Sequence, residues 1–241
     1  MSGCVIVIPA YEEGERLGAV LDAVARAGLD GEIVVVDDGS RDATAQVAAR
    51  AGARVLRHPF NLGYGAALQT GYKYALERGA ELVVQLDADG QHDPAEIPLL
   101  LEPVERGELD LVVGSRFLGR GDYRMGALRS LGRRAFQAVA RLAGLRVSDP
   151  TSGFQAMNRR VLEIYARDFF PADYPDVDVL LAAKRNGLRV GERPVSMRAG
   201  TRASTLHGGI RSVYYVYKML LSTWTAARRP AEAAAPEARR P

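Results

Sequence analysis

Apolar and polar positions along the chain follow two alternating periods. Short β-rich runs occur at Val5 to Ile8, Ile33 to Val36, Arg54 to Arg57, Leu82 to Leu86 and Leu109 to Val113; between most of them apolar residues recur every three to four positions. The first such segment predicts a helix from about Glu12 to Ala27, with Leu17, Val20, Leu21 and Val24 on one face and Gly28 as its stop. Two more are expected over Ala43 to Ala51, behind Asp42 as a cap, and over Ala66 to Glu77, ahead of Gly79. Strand and helix taking turns in this way predict an α/β fold, a Rossmann-like, mostly parallel sheet flanked by helices. Ligands of open parallel sheets gather at the carboxyl ends of the strands. Pro9, Asp37, Asp38, Asp87 and Asp89 all fall at such ends.

Beyond Gly114 the pattern becomes irregular. It predicts a glycine-rich loop over Gly119 to Gly126, a helix over Leu128 to Leu142, the turn-forming run SDPTSGF at Ser148 to Phe154, a helix over Val177 to Asn186 and a strand over Arg189 to Met197. Arg198 to Gly209 reads as a polar flap. Ile210, Val213, Tyr214, Tyr217, Leu220, Leu221 and Trp224 then repeat at helical spacing beside Arg211, Lys218, Arg228 and Arg229. That composition predicts an amphipathic helix over residues 210–228, too short to span a bilayer and suited to a membrane surface, an integral-membrane partner or the body of its own domain. The Pro/Ala-rich stretch from Arg229 onward reads as a disordered tail. The expected organisation is one main domain over 1–208, an amphipathic docking helix over 209–228 and a tail over 229–241.

A chain of 241 residues suffices for one substantial core. Cys4 is the sole cysteine, so neither an intrachain disulfide nor a cysteine-based zinc site is expected. Without a basic leader or an uninterrupted apolar run of about 18 residues, the expected location is cytoplasmic, peripheral on the cytosolic face of a membrane. The formal charge is only +3, yet Arg116, Arg120, Arg124, Arg129, Arg133, Arg134, Arg141 and Arg146 share a region whose single acid is Asp122. Such a region attracts phosphates or an anionic bilayer. Nucleic acid is not expected as a partner, since basic residues are not interleaved with stacking aromatics.

The strongest chemical signal is LVVQLDADGQHDP, Leu82 to Pro94. A buried strand runs directly into Asp87-Ala88-Asp89, followed by Gly90 and Gln91. Neighbouring carboxylates repel and favour protonation unless a cation neutralises them. Oxygen ligands of this kind suit Mg²⁺ or Mn²⁺ held jointly by one or two carboxylates and substrate phosphates.

The motifs VIVIPAYEE (Val5 to Glu13), VVVDDGSRDAT (Val34 to Thr44), NLGYGAALQTG (Asn61 to Gly71), QLDADGQHDP (Gln85 to Pro94), VVGSR (Val112 to Arg116) and SDPTSGF occur in one order. In that order the chain resembles family 2 glycosyltransferases of the GT-A fold and is most similar to the dolichyl- or polyprenyl-phosphate mannose and glucose synthases. The resemblance implies a nucleoside pocket formed by Pro9, Tyr11, Glu13, Val36, Asp38, Asp87 and Ala88. It implies Asp89 and Gln91 as ligands of a divalent cation bridging the donor diphosphate, Arg116 and Arg133 as holders of an acceptor phosphate, and Arg202 in a flap over the diphosphate. Asp89, Arg116 and Arg133 are thus the catalytic candidates, with Arg129 and Arg134 as rivals of Arg133. Asp37 reads as support for the fold, Gly39 and Ser40 as turn chemistry, and His92 as a surface or supporting residue.

The expected reaction is inverting, metal-dependent transfer of one hexose, from GDP-mannose or UDP-glucose, to polyprenyl phosphate. An acceptor phosphate is already anionic near neutral pH, so its site needs cations and positioning more than a base. Two rivals remain: transfer to a soluble glycan, protein or small alcohol, with Asp149 or Asp176 as base, and a non-catalytic nucleotide-sugar-binding scaffold that recruits a membrane partner. A processive polymerase is not expected, since no Q-x-x-R-W run occurs.

Overall fold

The structure, a computed structural model, describes residues 3–118, 141, 144–173 and 175–197. Its strands are β1 (Cys4–Ala10), β2 (Glu32–Asp37), β3 (Arg54–Arg57), β4 (Leu82–Gln85), β5 (Leu111–Ser115), β6 (Gln155–Asn158) and β7 (Val190–Pro194). They form one sheet in the order β3-β2-β1-β4-β6-β5-β7. β1 lies parallel to β2 and β4, β2 to β3 and β5 to β7, whereas β6 runs antiparallel to both β4 and β5. The described helices are α1 (Leu17–Arg26), α2 (Thr44–Arg50), α3 (Tyr64–Glu77), α4 (Ile97–Glu105), α5 (Arg159–Tyr165) and α6 (Val177–Arg185).

Period-two alternation along the strands explains the layering. Val5, Val7, Val34, Val36, Val83, Leu111 and Met157 face a core completed by α3, α5 and α6. Ile6, Ile8, Val35, Val84, Val112 and Ala156 face the opposite core, completed by α1, α2 and α4. With both faces covered, the central strands are apolar almost throughout. Gly71 lets α3 settle onto β1: a Cβ there would lie 2.3 Å from Val7 Cγ1.

The expected α/β architecture is therefore the observed one; α4 and α5 are additional helices, β7 is shorter than the expected Arg189 to Met197, and there are three further departures. The first helix begins at Leu17, not Glu12, because Tyr11 to Arg16 form a loop whose backbone is bonded elsewhere. Glu12 takes φ of 54°, and the N–H groups of Glu12, Glu13 and Gly14 donate to Ser40 Oγ, Thr44 Oγ1 and Asp42 Oδ2 at 2.9, 3.0 and 3.0 Å. Second, β6 has the sequence QAMN, with no β-branched residue and no alternation. Its pairing with two neighbours makes it a strand, and propensity does not. Third, Leu109 and Asp110 precede β5 instead of opening it. The helices expected over Leu128 to Leu142 and over 210–228, the glycine-rich loop Gly119 to Gly126, the flap and the tail lie, Arg141 apart, outside the described residues. Among the described residues no helix is long and apolar enough to cross a membrane.

Asp110 fastens the far half of the sheet. Its buried carboxylate meets Arg189 Nε at 3.1 Å and Arg160 Nη1 at 3.3 Å, and accepts from the Arg189 N–H at 2.8 Å and Asn158 Nδ2 at 2.9 Å. Burial pushes the carboxyl up, but the Arg189 and Asn158 bonds outweigh it and bring it down to about 2. A depressed carboxyl stabilises the fold above its ordinary value of 3.8 and ceases to do so as pH falls through about 2. Because both arginines are largely solvated, Asp110→Asn is expected to cost about 1–2 kcal/mol near neutral pH. Urea unfolding of wild type and variant should show that gap, and the gap should shrink as pH falls below about 4.

Candidate active site

The carboxyl ends of β1, β2 and β4 converge on one rim. At the end of β2 the paired aspartates divide their work. Asp37 accepts from the Ser40 N–H at 2.9 Å and pairs with Arg57 Nε at 3.1 Å, a fold-supporting arrangement. Asp38 gathers the following loop: Oδ1 meets His58 Nδ1 at 2.7 Å and the Leu62 N–H at 2.8 Å, and Oδ2 accepts from the Gly63 N–H at 2.9 Å. His58 Nε2 lies 2.9 Å from Thr70 Oγ1 on α3, so loop and helix share one bonded unit.

The next residue, Tyr64, opens α3 and donates its hydroxyl to Asp87 Oδ1 at 2.7 Å. Asp87 Oδ2 faces His92 Nε2 at 3.5 Å. Burial pushes the Asp87 carboxyl up; the His92 ring, the Tyr64 hydroxyl and the Arg116 charge together hold it below the usual carboxylate range. Asp89 has the opposite balance. Burial and the Asp87 charge push its carboxyl up, and its bonded donors are the Gln91 N–H, at 3.0 Å on Oδ1, and the Gln91 side-chain amide on Oδ2. An acid that the fold leaves undercompensated, beside a carbonyl-bearing amide, has the donor chemistry of a divalent-cation site. No three His, Cys, Asp or Glu side chains gather as a metal cage among the described residues. The remaining ligands would then be phosphate oxygens and water, as suits Mg²⁺ or Mn²⁺.

Arg116 leaves the end of β5 and is held as a fork. Nε and Nη2 meet the two oxygens of Asp149, each at 2.6 Å, and Nη2 also donates to Thr151 Oγ1 at 3.1 Å. Asp149 is buried beneath this pair, and the N–H groups of Ser148 and Asp149 both donate to Glu192 Oε1, at 2.7 and 2.9 Å. SDPTSGF is thereby fixed between β5 and β7 and closes over Asp87: a Cβ on Gly153 would lie 2.3 Å from Asp87 Oδ2.

Of the residues singled out from sequence, Asp87, Asp89, Gln91 and Arg116 lie in this one cluster, with Ala88 buried between the aspartates. Pro9, Tyr11, Glu13, Val36 and Asp38 occupy the adjoining ends of β1 and β2. Tyr11 is 44% exposed, Glu13 pairs with Arg16 at 2.9 Å, and Pro9 and the Val36 side chain are buried. Arg133 and Arg202 fall outside the described residues. His92 is not a surface residue: it is 4% exposed and packs on Phe154 with ring centroids 5.1 Å apart. Met197 bridges back to it in an isolated antiparallel pair. Tyr64 and Gly153 lie inside the NLGYGAALQTG and SDPTSGF motifs, and their contacts with Asp87 come from the fold and not from local sequence.

A family model described as glycosyl transferase family 2 matches residues 5–165. The polyprenol monophosphomannose synthase of Mycolicibacterium smegmatis is 34% identical over 203 residues, covering 79% of this chain and 76% of that protein. The undecaprenyl-phosphate mannosyltransferase of Micrococcus luteus is 32% identical over 214 residues, covering 85% and 87%. Among solved structures, glucosyl-3-phosphoglycerate synthase from Mycobacterium tuberculosis, in complex with Mn²⁺, UDP and glucosyl-3-phosphoglycerate, superposes with a TM-score of 0.68 at 22% identity, over 96% of this chain and 82% of that one. It shares the fold.

The contact between Gly153 and Asp87 makes a prediction about packing. Gly153→Ala is expected to destabilise by about 1–3 kcal/mol through overpacking. In an Asp87→Ala background the same substitution should cost well under half as much, which a double-mutant cycle in urea would read.

Proposed function

Because this chain belongs to glycosyl transferase family 2, and so is a glycosyltransferase, we propose that it catalyses inverting, metal-dependent transfer of a single hexose, mannose or glucose, from a GDP- or UDP-sugar to polyprenyl phosphate. The observation that carries the reading is the unequal pair at the end of β4. Asp87 is compensated by protein donors, whereas burial and the Asp87 charge push the Asp89 carboxyl up, a setting that suits a cation ligand. A sugar diphosphate bound across such a pair meets Asp87 with its nucleoside half and Asp89 with its diphosphate.

In this reading Tyr11 offers the base an aromatic face. Pro9, Glu13, the Val36 backbone, Asp38, Asp87 and Ala88 line the rest of the nucleoside pocket. Asp89 and Gln91 would hold Mg²⁺ or Mn²⁺, which when bound would supply Lewis-acid stabilisation of the charge on the departing nucleoside diphosphate. An oxygen of the acceptor phosphate forms a bond to the anomeric carbon as the bond from that carbon to the diphosphate oxygen breaks, and the electron pair leaves with the diphosphate. A single displacement inverts the centre. The acceptor oxygen is anionic beforehand, so the protein's task is to hold the phosphate, and in this reading Arg133 and Arg116, the latter oriented by its fork on Asp149, supply the positive charge that does so. Arg202 is the residue this reading assigns to the donor diphosphate.

Two observations support the phosphate acceptor. The relatives named above act, by their names, on polyprenyl lipids. Asp149, with Asp176 one of the two candidate bases for an alcohol acceptor, is the buried partner of Arg116. The site then works at the cytosolic face of the membrane, with residues 210–228 docking on lipid or on an integral-membrane partner.

The test is donor turnover. With Mn²⁺, radiolabelled GDP-mannose or UDP-glucose and undecaprenyl phosphate, label is expected in the organic phase only when the lipid phosphate is present. Asp89→Ala should lower the rate by at least about 100-fold. Donor consumed equally without the lipid phosphate would contradict the reading.

A further inference from the structure

Asp87 ends a directional chain of hydrogen bonds that starts deep under α3. The buried Tyr72 hydroxyl donates to Gln85 Oε1. Gln85 Nε2 donates to Tyr64 Oη at 3.0 Å, and Tyr64 Oη donates to Asp87 Oδ1 at 2.7 Å. The order is forced by chemistry. A carboxylate can only accept, so Tyr64 must donate to it and must itself accept from the amide end of Gln85. The carbonyl end of Gln85 is thereby turned to Tyr72. Burial and the Asp87 charge push the Tyr64 hydroxyl well above its ordinary value, so it keeps the proton that it donates.

Each member stands on a rigid element. Gln85 ends β4, Tyr72 lies within α3, and Tyr64 is the first residue of α3, whose opening turn is tied by Gly65 and Ala66 N–H groups to the carbonyls of Asp173 and Ala172 at 3.1 and 2.9 Å. On the other side of Asp87, Gly153 leaves room for Oδ2 and for little else.

We infer that Tyr64 is a positioning residue of the donor site: its hydroxyl fills one lone pair of Asp87 and turns the carboxylate, before any ligand arrives, to the angle at which it accepts from the ribose hydroxyls of the donor nucleotide. This rests on the reading of Asp87 as a nucleoside contact. A charge-assisted bond from a fixed donor removes the rotational freedom that a lone carboxylate would otherwise lose on binding. Selectivity for ribose follows, since a ligand lacking the hydroxyls leaves the prepared carboxylate unpaired. Tyr64 touches neither sugar nor diphosphate in this scheme, so its effect belongs to nucleotide affinity and not to the transfer step.

The experiment is titration calorimetry of GDP, UDP and their 2′,3′-dideoxy forms with Mn²⁺, on wild type, Tyr64→Phe and Tyr165→Phe. Tyr165 is the comparator because its buried hydroxyl has no hydrogen-bond partner among the described residues and its ring packs on Tyr72. Wild type and Tyr165→Phe are expected to bind the ribonucleotide at least about 10-fold more tightly than the dideoxy form. In Tyr64→Phe that ratio should fall to about threefold or less, with the dideoxy affinity unchanged. If both ligands weaken equally and the ratio stays, Tyr64 is merely structural and the inference is overturned. Wild type that binds both forms equally overturns the ribose contact of Asp87 and the inference with it, leaving the transferase reading standing. Wild type that binds neither nucleotide overturns both.

Discussion

Everything at this site follows from placing two carboxylates on alternate residues at the mouth of one buried strand. Two such charges in a partly dry setting cannot both be left to solvent. The fold resolves the conflict asymmetrically. Asp87 receives a tyrosine hydroxyl, a histidine ring and the field of Arg116, and remains ionised. Asp89 is bonded, among the described residues, to its own neighbour Gln91, and burial with the Asp87 charge outweighs that bond and the His92 charge and pushes it towards its neutral form. The asymmetry makes one carboxylate a prepared acceptor and the other a demand for positive charge.

The surrounding architecture serves to keep those two roles apart. Asp38 draws residues 58 to 63 into place, which sets Tyr64 at the head of α3. On the opposite side Glu192 and Arg116 hold the 148–154 turn from β7 and β5, which sets Gly153 over Asp87. The insertion of antiparallel β6 between β4 and β5 makes the second clamp possible, since it returns the chain from that turn into the middle of the sheet.

Much of this was legible in the residues. The strand ends of β1, β2 and β4, the DADGQ run and the GSR arginine could be located because strongly apolar runs stop abruptly at polar residues, a signal that survives without tertiary context. β6 was not legible, because Gln155-Ala-Met-Asn acquires strand geometry from two partners and not from its own composition. The start of α1 has a related cause: Ser40, legible as turn chemistry, and Asp42, legible as a cap and bonded as one to the Thr44 N–H at 3.0 Å, also join Thr44 in accepting from the N–H groups of Glu12 to Gly14, about 30 residues away. His92 looked like a loop histidine because burial by Phe154 and Met197 comes from segments distant in sequence. Tyr64 was hidden likewise. An aromatic at a helix start reads as core, and only its distance to Asp87 reveals a polar task.

The central claim is the division of labour between Asp87 and Asp89, and the most direct measurement is Mn²⁺ binding followed by the electron paramagnetic resonance of the free ion. Wild type, Asp87→Asn and Asp89→Asn would be compared at saturating nucleoside diphosphate. The account predicts that Asp89→Asn loses the bound ion, while Asp87→Asn keeps it to within a few-fold and instead requires more nucleotide to reach saturation. Equal loss of the ion in both variants, or retention in Asp89→Asn, would contradict it.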